Sequence, residues 1–351
     1  MSGAAPVFVA AWGAVTPVGL SATESAFGFR ASVNGLRESA ISSAQGTGIT
    51  MGLVPTLSPY LTGIPRLLAL ADLALADLLK TAQGLLAGRN LRVAIVLDAA
   101  PQPTWDAPRE VGDHVRARLG NLFGVVPQAS VTTSGSAGFI EALQGAVRSG
   151  HEGHETLTII LAVHSDHCLL RTDQLAEAGR IWGEDCLDAV LLGEAAVALL
   201  VSAREPRHLG APIGVRVELS ELTREAATPE NDESAFVAAG MTVAARAVTE
   251  TRAARAQKIG WTSSDVSYET FRVSELSTVL TRLQQRLGPP QVLDAPNQRL
   301  GNLGAALGPF QIAYAGEAFL REFAPAPECL CLLGTDHGVR AALLLGPERA
   351  S

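Results

Sequence analysis

The sequence predicts a layered α/β fold, and three observations carry that expectation. First, the chain of 351 residues is 47% hydrophobic and only 18% charged. That composition leaves a thick interior, as in folds whose central elements are buried on both faces. Second, apolar runs of strand length alternate with segments of helical periodicity along most of the chain, which favours parallel pairing through crossover helices. Third, the length suits two domains or one large two-part domain.

The elements follow in order. Residues 7–11 form an apolar run that reads as a first buried strand. Residues 65–83 (PRLLALADLALADLLKTAQ) keep apolar side chains at i, i+3, i+4 and i+7, and Gly63 with the early Pro65 suits a helix start. Residues 93–97 read as a second strand. Residues 138–148 read as a helix, with Gly150 as its stop. Two further strands are expected at 158–163 and 195–201.

The segment 204–212 (REPRHLGAP) holds two Pro, a Gly and the side chains Arg204, Arg207 and His208 between strand-like runs. It is the best internal boundary and divides the chain into 1–205 and 206–351. Beyond it come a strand at 214–219, a polar loop at 223–231 containing Pro229, and a long amphipathic helix at 232–258 with Asp232 as N-cap and an end near Gly260. A helix at 274–287, a short strand at 292–293, a helix at 303–323 and strands at 329–333 and 340–345 complete the set.

Charge and cysteine usage exclude several classes. Lys and Arg number 27 against 35 Asp and Glu, a net charge of −8. That disfavours nucleic acid as a partner, and an anionic membrane surface equally. No run reaches the roughly 20 apolar residues of a spanning helix. The nearest, 189–201, is interrupted by Glu194. The opening MSGAAPVFVAAWGAV lacks the basic region of a signal peptide. Cys168, Cys186, Cys329 and Cys331 make no C-x-x-C pair, and Cys329 and Cys331 would share one face of a strand. Free thiols point to a reducing, cytoplasmic location.

Several clusters are candidates for chemistry. His164, Asp166, His167 and Cys168 are residue types that bind zinc. Their spacing matches no ligand pattern, and a loop at a strand end accounts for them, so no metal or cofactor is expected. His151, Glu152, His154 and Glu155 read as a solvated loop. Residues 105–109 (WDAPR) read either as a contact site, since Trp and Arg anchor interfaces, or as a Pro-bounded loop with a tucked aromatic. Ser134, Gly135, Ser136, Ala137 and Gly138 approach a G-x-S-x-G nucleophile elbow, but Ser134 stands where the first Gly should be. Small residues there also suit a turn that passes close to a packed neighbour.

Four stretches together resemble the β-ketoacyl synthases of the thiolase superfamily. They are 11–19 (AWGAVTPVG), leading into a helix and a turn at Asn34-Gly35; 131–150 (VTTSGSAGFIEALQGAVRSG), similar to the nucleophile turn and its buried helix; 258–269 (KIGWTSSDVSYE), similar to the approach to the first catalytic His; and 300–308 (LGNLGAALG), similar to the turn of the second His. Residues 193–195 (GEA) and 334–340 (GTDHGVR) fit two further family loops. The resemblance spans nearly the whole chain in order. It implies a thiolase-like αβαβα fold of two pseudo-symmetric halves, divided near 204–212.

The resemblance also implies a chemistry whose residues are missing here. The family's nucleophilic Cys opens a buried helix, whose N-terminus stabilises the thiolate. Laid on residues 133–138, its position falls at Gly135, and no Cys occurs from 1 to 167. The two His, or a His and an Asn, that face the thiolate fall at Arg272 and Asn302, and the preceding Lys falls at Asn297. Asn302 can still donate from an amide. Arg272 is longer and permanently charged, so it or Phe271 is expected to fill the space of the thioester chemistry. Ser134, Ser136 and His337 are the remaining substitutes for lost groups.

The implied function is therefore that of a catalytically inactive synthase homologue working through its surfaces. It would be a homodimer, or a heterodimer with an active synthase in the manner of a chain-length factor, with residues 125–134 at the interface. An acyl carrier protein is a possible partner, although like charge slows that encounter. Two alternatives stand beside it: an adaptor in a bacterial secretion system, and an acyltransferase or hydrolase using Ser134 or Ser136 on an acyl thioester.

Overall fold

A computed structural model describes residues 6–42, 46, 48–86, 89–98, 106–123, 127–151, 156–211, 213–231, 233–250 and 258–349. The first strand, β1 (Val7–Val15), is buried along its whole length. Helix α1 (Ala22–Arg30) follows, its first turn capped by the Ser21 side chain, which accepts from the Glu24 amide. A separate hairpin, β2 (Leu36–Ser42) and β3 (Gly48–Gly52), leads to α2 (Gly63–Leu86). Next come β4 (Asn90–Val96), α3 (Ala107–Phe123), β5 (Gln128–Thr132), α4 (Gly135–His151), β6 (Thr156–Ser165), α5 (Leu169–Glu177) and β7 (Glu194–Ser202). The later part of the chain supplies β8 (Ile213–Leu219), β9 (Thr223–Arg224), α6 (Ala239–Glu250), β10 (Ile259–Ser264) and α7 (Thr270–Arg282). It ends with β11 (Leu287–Asp294), α8 (Pro296–Leu300), α9 (Leu307–Leu320), β12 (Cys329–Gly334) and β13 (Val339–Arg349).

The main sheet runs β11-β10-β12-β13-β8-β1-β7-β6-β4-β5, with β9 beside β13. Leaving β9 aside, its two runs of strands share one plan. Counted along each run, the order inward from the outer edge is third, second, fourth, fifth, first. In both runs the outer three pair in parallel and the fifth is antiparallel to its neighbours. The expectation of mainly parallel pairing therefore needs correction, because antiparallel pairings outnumber parallel ones. A tight turn joins β12 to β13, and such a turn can only reverse the chain.

Helices α4 and α9 pack against strands from both runs, and one apolar core surrounds them. Every residue of α9 from Leu307 to Phe319 is buried, as expected of a helix enclosed on all sides. Helices α2 and α3 cover the far face of the first run, and α6 and α7 that of the second. The order of layers is αβαβα.

Some elements were not legible in advance. Strand β10 is buried but carries Thr262, Ser263 and Ser264, so its run is not apolar. Helix α6 begins at Ala239 rather than 232, because Glu225 accepts from the Ala239 and Gly240 amides and caps it from another segment. Asp232, residues 251–257, Trp105, Glu152, His154 and Glu155 lie outside the described residues, as do 125 and 126 of the expected interface; β5 itself ends the sheet.

Cys329 and Cys331 do share one strand face, with their sulfurs 3.8 Å apart and both side chains buried. Burial pushes the Cys329 thiol up, and the neighbouring Cys331 adds to it. In the native protein, alkylation near neutral pH should modify the half-buried Cys186 and spare Cys329 and Cys331 until unfolding. Peptide mass mapping checks this; rapid labelling of Cys329 in folded protein contradicts it.

Candidate active-site cavity

A cavity of about 260 Å³ opens where the carboxyl ends of strands meet the starts of α4 and α9. This is where ligands bind in α/β sheets. Five expected residues, Ser136, Arg272, Asn297, Asn302 and His337, line it together. Gly135 and Ser134 stand at the same turn but are not part of the wall.

The turn is built from close backbone contacts. The Gly135 amide donates to the Leu97 carbonyl at 2.9 Å, which ties the start of α4 to the end of β4. Gly135 has a φ of +54°, a left-handed conformation that favours glycine. Ser134 is exposed, and its hydroxyl accepts from Thr132 at 3.3 Å. Ser136, in the first turn of α4, is 8% exposed and faces the cavity.

One side of the cavity is an ion network around His164, at the end of β6. Its Nδ1 lies 3.0 Å from Asp98 Oδ2 and its Nε2 lies 3.2 Å from Asp166 Oδ2. Burial alone would lower the His164 pKa, but the Asp166 and Asp98 carboxylates override it and raise the value to about 10. Burial opposes ionisation of Asp166 as well, yet His164 and Arg171 hold its pKa down at about 2. The Asn302 amide donates to Asp166 at 3.0 Å. Gly304, in the turn before α9, approaches so closely that a Cβ there would lie 2.2 Å from His164 Nδ1. The cluster read from sequence thus divides: His164 and Asp166 join this network, His167 Nδ1 faces the Leu61 carbonyl, and Cys168 begins α5.

The second network centres on Arg272, in the first turn of α7. Its guanidinium donates to Asp265 at 3.1 Å and to Asp336 at 2.8 Å. Arg180 joins Asp336 at 3.1 Å and Glu269 at 2.7 Å. Burial disfavours the Arg272 charge, but the Asp265 and Asp336 carboxylates raise its pKa and lock it as a cation. Burial likewise opposes the Asp336 charge, and Arg272 with Arg180 lowers its pKa. Arg272 forms wall without closing the cavity. Phe271 stands edge-on against Phe236 at 5.3 Å instead. Asn297 donates to the Asp265 carbonyl and accepts from the Leu303 amide. His337 sits at the exposed rim beside Glu230.

No protein-family model matches the chain, and no curated protein matches it. Solved structures do. A type II PKS acyl-carrier protein in complex with its ketosynthase bound to the hexaketide gives a TM-score of 0.73, covering 97% of this chain and 98% of that one at 15% identity. The ishigamide ketosynthase/chain length factor gives 0.73 over the same shares at 16% identity. A ketosynthase in complex with its chain length factor from Xenorhabdus doucetiae gives 0.71, again over 97% and 98%, at 14% identity. The fold is the thiolase-like fold of the ketosynthases.

Within that ketosynthase fold, the missed residues are Asp98, Asp265, Arg171, Arg180 and Asp336 of the two networks. Asp98 and Asp265 stand just past the ends of β4 and β10, the second strand of each run. Their position past a strand end was the available signal. Arg180 and Asp336 carried none, because their partners are distant in sequence; Arg171 stands five residues from Asp166, but no local pattern marks that pair.

Proposed function

We propose that this chain is a non-condensing ketosynthase-fold protein that acts as the silent partner of an active synthase. One observation carries the reading: the turn that opens α4 presents Gly135, which has no side chain to hold an acyl group. The surroundings agree. Arg272 is committed to carboxylates, Asn297 and Asn302 hold backbone and network, and His164 keeps its proton between Asp98 and Asp166. A charged His164 is no general base, and among the described residues no base is hydrogen-bonded to the Ser134 or Ser136 hydroxyl to activate it for serine acyl transfer. The repeated strand order supports halves at 1–205 and 206–351. Solved neighbours pair a ketosynthase with a chain length factor, which supports a heterodimer here. A reducing, cytoplasmic setting fits the free thiols, and among the described residues no helix is long and apolar enough to cross a membrane.

Affinity purification from the native organism, with mass spectrometry of the co-purifying proteins, tests the partnership. A synthase carrying its own Cys, at equal stoichiometry, is expected. Recovery of a homodimer with a secretion component instead would replace this reading with the adaptor. Intact-mass measurement after exposure to acyl thioesters should show no adduct; acylation at Ser134 or Ser136 would falsify the non-condensing assignment.

A further inference from the structure

The cavity keeps two kinds of unused recognition group. Ser136 is 8% exposed as a residue and lines the cavity, and its hydroxyl has no hydrogen-bond partner among the described residues. Arg171 gives its Nε to Asp166 at 3.2 Å, and its two Nη groups bond to no described residue. These donors belong with an anionic acceptor, and Ser136 stands in the first turn of α4, at the positive end of the helix. The wall also carries Asp98, Glu230, Asp265, Glu269 and Asp336, against Arg171 and Arg272. Carboxylates therefore exceed guanidiniums, and a plain dicarboxylate would meet net repulsion. An acyl chain would leave the buried charges facing hydrocarbon.

Resting on the non-condensing reading of this site, we propose that the cavity binds a small zwitterion of the amino-acid class. Its carboxylate takes hydrogen bonds from Ser136 and Arg171, and its ammonium faces Glu230 and Asp336. Such a ligand satisfies the idle donors and lowers the excess negative charge at once.

The experiment is a thermal-shift scan of the full chain with the standard amino acids and γ-aminobutyrate, followed by calorimetry on any compound that raises Tm. At least one zwitterion should stabilise the protein by mass action. Its N-acetyl and carboxamide derivatives, each lacking one charge, should not. Ser136→Ala should leave the ligand-free Tm unchanged, because its hydroxyl has no partner to lose, and should weaken binding about tenfold. Glu230→Gln, at the exposed rim, should weaken it less. The proposal fails if no amino acid shifts Tm, if malonate or an acyl-pantetheine binds instead, or if Ser136→Ala binds as tightly as the parent. An acyl adduct on a serine would sink the non-condensing reading, whereas a silent scan without any adduct would sink only the zwitterion.

Discussion

Arg66→Met should destabilise the protein by about 3–5 kcal/mol, the range for breaking a buried ion pair from one side. Arg66, in α2, and Glu194, at the start of β7, are both fully buried. The Arg66 Nε and Nη2 groups donate to the two Glu194 oxygens at 2.5 and 2.6 Å, and Nη1 donates to the Ser58 and Leu61 carbonyls at 2.9 Å each. Glu194 also accepts from the Val54 amide and the Ser165 hydroxyl. Methionine fills much of the volume but leaves a carboxylate uncompensated and takes one donor away from each of the two carbonyls, which keep the Leu61 amide and the His167 ring as neighbours. Adding Glu194→Gln removes the stranded charge and should recover part of the loss, giving a coupling of a kilocalorie or more. Urea unfolding of both single variants and the double variant measures it. A loss below about 1 kcal/mol for Arg66→Met would mean that the pair barely contributes.

Stability should also fall by several kilocalories per mole as pH rises through the titration of His164. Its folded pKa of about 10 lies above the ordinary 6.5, so folding favours the protonated ring. That contribution is complete below 6.5 and is lost as pH climbs towards about 10. Asp166 acts in the opposite direction. Its folded value of about 2 lies below the ordinary 3.8, so its contribution is complete above 3.8 and is lost as pH falls towards 2. The two are one interaction seen from both partners and are not summed. His167 is pushed down by burial and by nearby Arg66, so its smaller contribution is lost below 6.5. Unfolding free energy measured across pH for the parent and for His164→Gln isolates the ring. The parent should lose its excess over the variant between 6.5 and about 10; parallel curves would remove His164 from the account.

How much of this was legible in sequence differed with the range of the contact. Strands β6 and β7 announced themselves as unbroken apolar runs, and α2 by its periodicity, because each answers to burial that the local pattern records. Strand β10 did not, since it carries three hydroxyls into the interior: Gln291 donates to Thr262, Ser264 donates to Asp265, and the Ser263 hydroxyl has no partner among the described residues. Five expected site residues met in one cavity because Ser136, Arg272 and Asn297 stand at helix starts and Asn302 and His337 in the turns beside them, and the layered fold gathers those ends. Phe271, one position from Arg272, turned the other way, since adjacent helical residues face different sides.

The sequence alone determined that Gly135 brings no side chain to the opening of α4, that no Cys precedes residue 168, and that Glu194 interrupts the apolar run 189–201. Those are properties of side-chain identity and need no partner. Only the tertiary structure decided that Asp98 and Asp166 clamp His164 from two sides, that Asp336 reaches Arg272, and that Arg66 answers Glu194. Charge in an interior is governed by whichever opposite charge lies within a few ångströms, and folding brings those groups together from segments with no shared local pattern.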